Sequence, residues 1–136
     1  MLNNLNISVK SPSIFRGAFC LLLVFIGFSA FSQPQLKFKD LKKNFGFVKK
    51  GELVIIEFEF VNSGNQPAII TEAKAECSCT TVEFPKHPIA PGQSEKIVVK
   101  FDTKSVYDRQ DRIVEIVSNA KTPSQKIRFK GVVLNK

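Results

Sequence analysis

The chain has 136 residues, 43% of them hydrophobic and 24% charged, with 20 Lys and Arg against 12 Asp and Glu for a formal charge of +8. That length suits one domain, and apolar residues this plentiful, spread along the whole chain, exclude intrinsic disorder. A single His and three Cys leave little material for a closed four-ligand zinc centre or for a histidine-based catalytic set.

The N-terminus reads as an export signal. Met1 to Arg16 carries Lys10 and Arg16 and no acid, and Gly17 to Phe31 (GAFCLLLVFIGFSAF) is almost purely apolar. Small residues at Ala30 and Ser32 complete the pattern, so cleavage is expected between Ser32 and Gln33, with residues 1–32 removed. The apolar run is about 15 residues, short of the roughly 20 that cross a bilayer as a helix, which argues against a retained anchor. Cys20 stands at the start of that run rather than after it, so lipid attachment there is not expected. The expected location is the periplasm, the cell surface or the medium, with no transmembrane anchor after cleavage. Residues 33–136 keep 18 basic residues against 12 acidic, a formal +6, and the two cysteines Cys77 and Cys79.

Along residues 33–136, Gly and Pro clusters separate short runs of period-two alternation. Gln35–Lys39 predicts a short first strand, and Asn44-Phe45-Gly46-Phe47 with Lys49-Lys50-Gly51 reads as a turn region. Leu53–Val61 is a clear strand, with Ile56, Phe58 and Phe60 on one face and Glu57 and Glu59 on the other. Asn62 to Pro67 is loop chemistry, and Ala68–Ala75 a third strand. A cysteine-bearing segment, Glu76–Phe84, precedes bends at Pro85–Pro88 and at Pro91-Gly92, the latter a pair that suits a type II turn. Glu95–Asp102, Arg112–Ser118 and Gln125–Leu134 alternate again, placing Ile97, Val99, Phe101, Val114, Ile116, Ile127, Phe129 and Val133 inside with Ile56, Phe58 and Phe60, and Lys126, Arg128 and Lys130 outside. About seven strands and no helical stripe predict an all-β, immunoglobulin-like sandwich of antiparallel strands, with a closed barrel as the alternative.

Six motifs stand in order: Asn44-Phe45-Gly46-Phe47-Val48-Lys49-Lys50-Gly51-Glu52, Phe58-Glu59-Phe60-Val61-Asn62-Ser63-Gly64, Cys77-Ser78-Cys79-Thr80-Thr81, Ile89-Ala90-Pro91-Gly92-Gln93-Ser94, Phe101-Asp102-Thr103 and Ser118-Asn119-Ala120. In this order the sequence resembles DUF1573, a family of secreted bacterial proteins common in Bacteroidetes and related to the Hydin/ASPM-type and major-sperm-protein modules. The resemblance implies the immunoglobulin-like fold for residues 33–136, and export; it implies no activity. One departure stands out: relatives carry a Gly-centred hairpin after Phe-Asp-Thr, whereas Lys104 to Arg112 holds no Gly, so a longer, more charged loop is expected there.

Cys77-Ser78-Cys79 is the sharpest chemical feature. An oxidising compartment favours a disulfide or redox pair. On an extended strand the two Cα atoms would lie about 6.6 Å apart, near the upper limit for a bridge, so a bend at Ser78 would be needed. A three-residue loop gives an entropic stabilisation of only about 1.6 kcal/mol, which suits an exchangeable bridge better than a staple. Two packed thiols without chemistry, or a two-coordinate Cu(I) site, are the alternatives. His87 lies ten residues past Cys77 across a bend, close enough in sequence to approach, but the ligand count stops at three. No metal and no cofactor is therefore expected. A cysteine nucleophile would have only His87 as base, and Glu57, Glu59, Glu83 and Glu115 fall on outward strand positions, so no catalytic residue is assigned.

Lys37, Lys39, Lys42, Lys43, Lys49 and Lys50 fall within 14 residues that hold one acid, Asp40. Exposed lysines of this kind also keep strand edges soluble. As a site they form a candidate patch for an anionic partner, and export turns the expectation from nucleic acid towards an anionic envelope surface or another envelope protein. The sequence thus predicts a non-enzymatic binding or scaffold module of the cell envelope. The alternative is a thiol-redox or copper-handling protein built on Cys77 and Cys79.

Overall fold

The computed structural model describes residues 32–135. The export-signal expectation falls on residues 1–31 and lies outside the described residues. Within them the period-two runs form eight strands: β1 (Leu36–Phe38), β2 (Lys42–Lys49), β3 (Leu53–Asn62), β4 (Ile70–Ala75), β5 (Thr80–Glu83), β6 (Ser94–Asp102), β7 (Asp108–Ser118) and β8 (Ser124–Leu134). Two four-stranded sheets result. Sheet A has the order β1-β3-β6-β5, and sheet B the order β2-β8-β7-β4. This is an all-β, immunoglobulin-like sandwich.

Alternation decides which half of each strand is buried. All eleven residues expected inside are buried, and Leu36, Ala68, Ile70, Ile89 and Ala120 join them. Phe101 and Phe129 meet edge to face across the sheets, with ring centroids 5.3 Å apart. Full burial of such a side chain contributes roughly 1.5–3 kcal/mol, so the facing phenylalanines carry much of the stability.

Three segments differ from the sequence expectation. The region around Asn44–Phe47, read as a turn, belongs to β2, which runs parallel to β8. Its turn-like composition serves a bulge: Asn44 Oδ1 accepts the Gly46 N–H at 2.9 Å, Gly46 takes φ +75°, and the extra residue, Phe45, swings inward onto Phe101 and Phe129. The reversal itself is confined to Lys50 and Gly51. The third strand starts two residues late, at Ile70, because Ala68 makes an isolated bridge to Ile89 instead. The connection after Phe101-Asp102-Thr103 ends at Tyr107, since β7 begins at Asp108, four residues before the expected Arg112. In a loop without glycine the left-handed conformation falls to Asp108, φ +68°, a residue type that tolerates it.

The other motif residues hold turns. Asn62 is fully buried; its Nδ2 donates to the carbonyls of Gln66 (2.7 Å) and Ile89 (2.9 Å), and its Oδ1 accepts the N–H groups of Gly64 (3.0 Å) and Gln35 (3.2 Å). Thr103 Oγ1 donates to the Glu52 carbonyl at 2.7 Å. Pro91-Gly92 forms the expected turn, with the Gln93 N–H on the Ala90 carbonyl and Gly92 at φ +79°. Asn119 Oδ1 accepts the Ile69 N–H at 2.8 Å. These side chains do the work of absent ladder partners.

Candidate functional site

The six lysines singled out from the sequence do not share one surface. Lys37 and Lys39 lie on the sheet A side, and Lys39 pairs with Glu59 at 3.3 Å. Lys42 points outward from sheet B beside Arg128, whereas Lys43 is half-buried with Nζ 5.9 Å from the Phe58 ring centre. Lys49 closes β2, and Lys50, in the turn, sits 5.7 Å from the Tyr107 ring centre.

The parallel pairing of β2 with β8 assembles a different cationic group. Lys42 lies opposite Arg128 and Asn44 opposite Lys130, and β7 brings Asp111 opposite Lys130 and Arg109 opposite Val132. A surface cavity of about 310 Å³ is lined by Lys42, Lys43, Asn44, Arg109, Asp111, Arg128 and Lys130, five cations against one carboxylate. That carboxylate is engaged: Arg128 Nε donates to Asp111 Oδ1 at 2.6 Å and a terminal NH2 donates to Oδ2. These hydrogen bonds, with the nearby positive charge, hold Asp111 below its ordinary value of 3.8. Lys42, Lys43, Arg109 and Lys130 form no ion pair among the described residues. An adjoining cavity of about 250 Å³ shares Asn44, Arg109 and Lys130 and adds Phe47, 76% exposed, and Val132.

Sheet A's outer face is built otherwise. Lys39, Lys96 and Lys100 are matched by Glu59, Glu57 and Glu83 from neighbouring strands or segments. A larger cavity, about 530 Å³ along β1, β3 and β6, is lined by Lys37, Lys39 and Lys96 but also by Glu59 and Glu95. Three cations there meet two carboxylates, and Lys39 and Lys96 are already paired with Glu59 and Glu57, so size does not make it the better anion site.

Alternation along Lys126, Arg128 and Lys130 was legible in the sequence as an outward basic row. That Lys42, Asn44 and Phe47 lie beside that row was not, because it depends on β2 being a strand of sheet B.

Cys77 and Cys79 are joined by a disulfide in the turn between β4 and β5, with Cα atoms 5.2 Å apart. The turn supplies the bend at Ser78 and brings the Cα atoms within ordinary bridging distance. Both cysteines are half-buried and Ser78 is exposed. The backbone closes the turn independently: the Thr80 N–H donates to the Cys77 carbonyl at 3.2 Å, and the Asp102 N–H to the Cys79 carbonyl at 2.8 Å. Thr80 Oγ1 lies 3.4 Å from Cys77 Sγ and 3.9 Å from Cys79 Sγ. His87 does not approach. It contacts Glu95 at 3.2 Å near the start of β6, while Cys79 meets Asp102 at the end of the same strand.

The family profile described as "Protein of unknown function (DUF1573)" matches residues 36–133. The chain belongs to DUF1573. No curated protein matches the sequence. Among solved structures, this DUF1573 chain is similar to a PapD-like domain of human CEP192 (7% identity, TM-score 0.63, covering 76% of this chain and 88% of that one). It is also similar to a Porphyromonas gingivalis protein of unknown function (18% identity, TM-score 0.68, 79% and 50%). A third likeness is to the secreted serine protease VesC of Vibrio cholerae (15% identity, TM-score 0.55, 73% and 23%). The chain thus spans half of the P. gingivalis protein and under a quarter of VesC. At these identities the shared feature is the sandwich fold.

Proposed function

We propose that this DUF1573 chain is an exported, non-enzymatic binding module of the cell envelope whose sheet B face docks on an anionic, phosphate-bearing lipid surface. The observation that carries the reading is the contrast between the two faces of one sandwich. Lys39, Lys96 and Lys100 on the sheet A side are each paired with a glutamate, while Lys42, Arg109 and Lys130 on sheet B surround Asn44 without a paired carboxylate. Guanidinium forks and ammonium groups suit phosphate oxygens, and exposed Phe47 beside them suits the apolar layer beneath a headgroup. Each such cation at an anionic membrane contributes about 1 kcal/mol, so the face supports reversible attachment rather than permanent anchoring. Export is supported by the N-terminal pattern of residues 1–32. The non-enzymatic part of the reading is supported by the motif residues Asn62, Thr103 and Asn119, which hold turns.

Co-sedimentation with phosphatidylglycerol vesicles tests it, with phosphatidylcholine vesicles as the neutral control. Binding to the anionic vesicles alone is expected, lost in the Arg109→Glu, Lys130→Glu double variant and kept in Lys37→Glu on the other sheet. Equal binding to both vesicle types, or binding unaffected by the double reversal, would contradict the proposal.

A further inference from the structure

The Cys77–Cys79 bridge joins residues that the backbone already holds together. The turn is closed by the Thr80 N–H on the Cys77 carbonyl and clamped to β6 by the Asp102 N–H on the Cys79 carbonyl. One residue separates the cysteines, so the bridge ties no distant segments. A disulfide placed this way contributes little as a staple. Yet both cysteines are only half-buried, on a turn with exposed Ser78 at its centre, which leaves the bridge open to another molecule's thiol. Beside them stands one fixed hydroxyl. Thr80 is 9% exposed, lies opposite Phe101 in the β5–β6 ladder, and holds Oγ1 within 3.4 Å of Cys77 Sγ and 3.9 Å of Cys79 Sγ.

We infer that Cys77 and Cys79 form a thiol–disulfide exchange site for an external dithiol, with Thr80 as the hydrogen-bond donor to the departing sulfur. In the reducing direction a thiolate of the dithiol attacks Cys79 Sγ. The Sγ–Sγ bond breaks, a mixed disulfide forms on Cys79, and Cys77 leaves as a thiolate. Its charge is met by the Thr80 hydroxyl, the nearer of the two contacts, before it takes a proton from water. The dithiol's second thiol, deprotonated to water, then attacks its own sulfur in the mixed disulfide and releases Cys79 as a thiolate, which is protonated in turn. Two electrons and two protons have passed to the cysteines, and the dithiol has become a disulfide. In reverse, the Cys77 thiolate attacks the mixed disulfide on Cys79, and a reduced chain is reoxidised by a disulfide-bearing partner. The site lies on the β4–β5 turn, and the inference stands whether or not the sheet B face binds anions.

The test is the reduction of the folded full chain by dithiothreitol, followed by rapid alkylation and mass analysis, in the wild type, Thr80→Val and Thr80→Ser. The wild type is expected to gain two alkyl groups without denaturant and to stay folded, with a cooperative melt, after reduction. Loss of a hydrogen bond to a developing charge is expected to slow reduction about tenfold in Thr80→Val, and Thr80→Ser to restore the rate to within about twofold. Thermal melts confirm that both variants fold, and the Ser variant keeps the test decisive if the Val variant does not. A bridge that opens only in denaturant would overturn the inference and make it a structural staple. Thiols that stay free in air and take up one Cu(I) per chain would overturn it in favour of a metal site. A rate equal in all three forms would overturn the role of Thr80.

Discussion

Arg128 of β8 grips Asp111 of β7 at two points, Nε to Oδ1 at 2.6 Å and a terminal NH2 to Oδ2. The pair is diagonal in the ladder, since Arg128 lies opposite Ile113 and Asp111 opposite Lys130. It partly offsets the one carboxylate that lines the cavity and fixes the guanidinium at the cavity's edge.

Asp111→Asn should therefore act in opposite directions on binding and on stability. Deleting the carboxylate should tighten binding to anionic vesicles by about fivefold, the equivalent of about 1 kcal/mol for one charge near the surface. The loss of the ion pair should lower the melting temperature slightly at neutral pH. The folded Asp111 value lies below its ordinary 3.8, so the pair's contribution is complete above that value and fades as pH falls through the lower, folded one. The melting difference between wild type and variant should accordingly shrink to nothing in strong acid. Melts from pH 7 to pH 2 check the sign, and a difference that grew with acid would refute it.

Gly131 lies under the ring of Phe45. A Cβ added at Gly131 would collide with Phe45 Cε2, and that ring is flanked by Phe101 and Phe129. Gly131→Ala should cost about 1–3 kcal/mol by overpacking. The loss should be partly recovered in the double variant with Phe45→Leu, and a denaturant-melt double-mutant cycle reads that coupling. Additive losses would mean that the bulge packs elsewhere.

Asn62 is the clearest case of a motif explained by hydrogen bonds. It is fully buried and ties Gln35, Gly64, Gln66 and Ile89 at once. Asn62→Ala should leave several backbone groups unpaired and cost about 2–4 kcal/mol, at about 1–3 kcal/mol for each buried group left without a partner. Asn62→Asp, which keeps the acceptor but loses the donor, should also destabilise. Chemical unfolding midpoints decide between this tie and a merely local loop role.

The strands and the core were legible because alternation survives in β3, β6 and β8, where Phe58, Phe101 and Phe129 each sit among outward charges. β2 was not legible as a strand. Asn44 and Gly46 carry turn chemistry, and they use it for a bulge inside a ladder whose partner, β8, is some 85 residues away. That missed pairing also concealed the assembly of Lys42 and Asn44 with Arg109, Arg128 and Lys130, since sequence proximity had grouped Lys42 with Lys37 and Lys39 instead. The cysteine turn was half legible. A bend at Ser78 followed from bridge geometry, but the hydroxyl of Thr80 beside the sulfurs follows only from the pairing of β5 with β6.

Replacing both cysteines should leave the sandwich standing. The backbone bonds that close the turn do not involve sulfur, and the entropic value of a three-residue loop is about 1.6 kcal/mol. Cys77→Ser with Cys79→Ser is expected to lose no more than that in a denaturant melt. A double variant that fails to fold would make the bridge structural.

A residue-resolved NMR titration with phosphatidylglycerol-containing bicelles tests the sheet B face as the docking surface most directly. The backbone signals of Lys42, Asn44, Phe47, Arg109 and Lys130 should shift together with a shared midpoint, while Lys96 and Lys100 on the opposite face stay still. Shifts centred on sheet A, or none at any residue up to high lipid concentration, would contradict docking through sheet B.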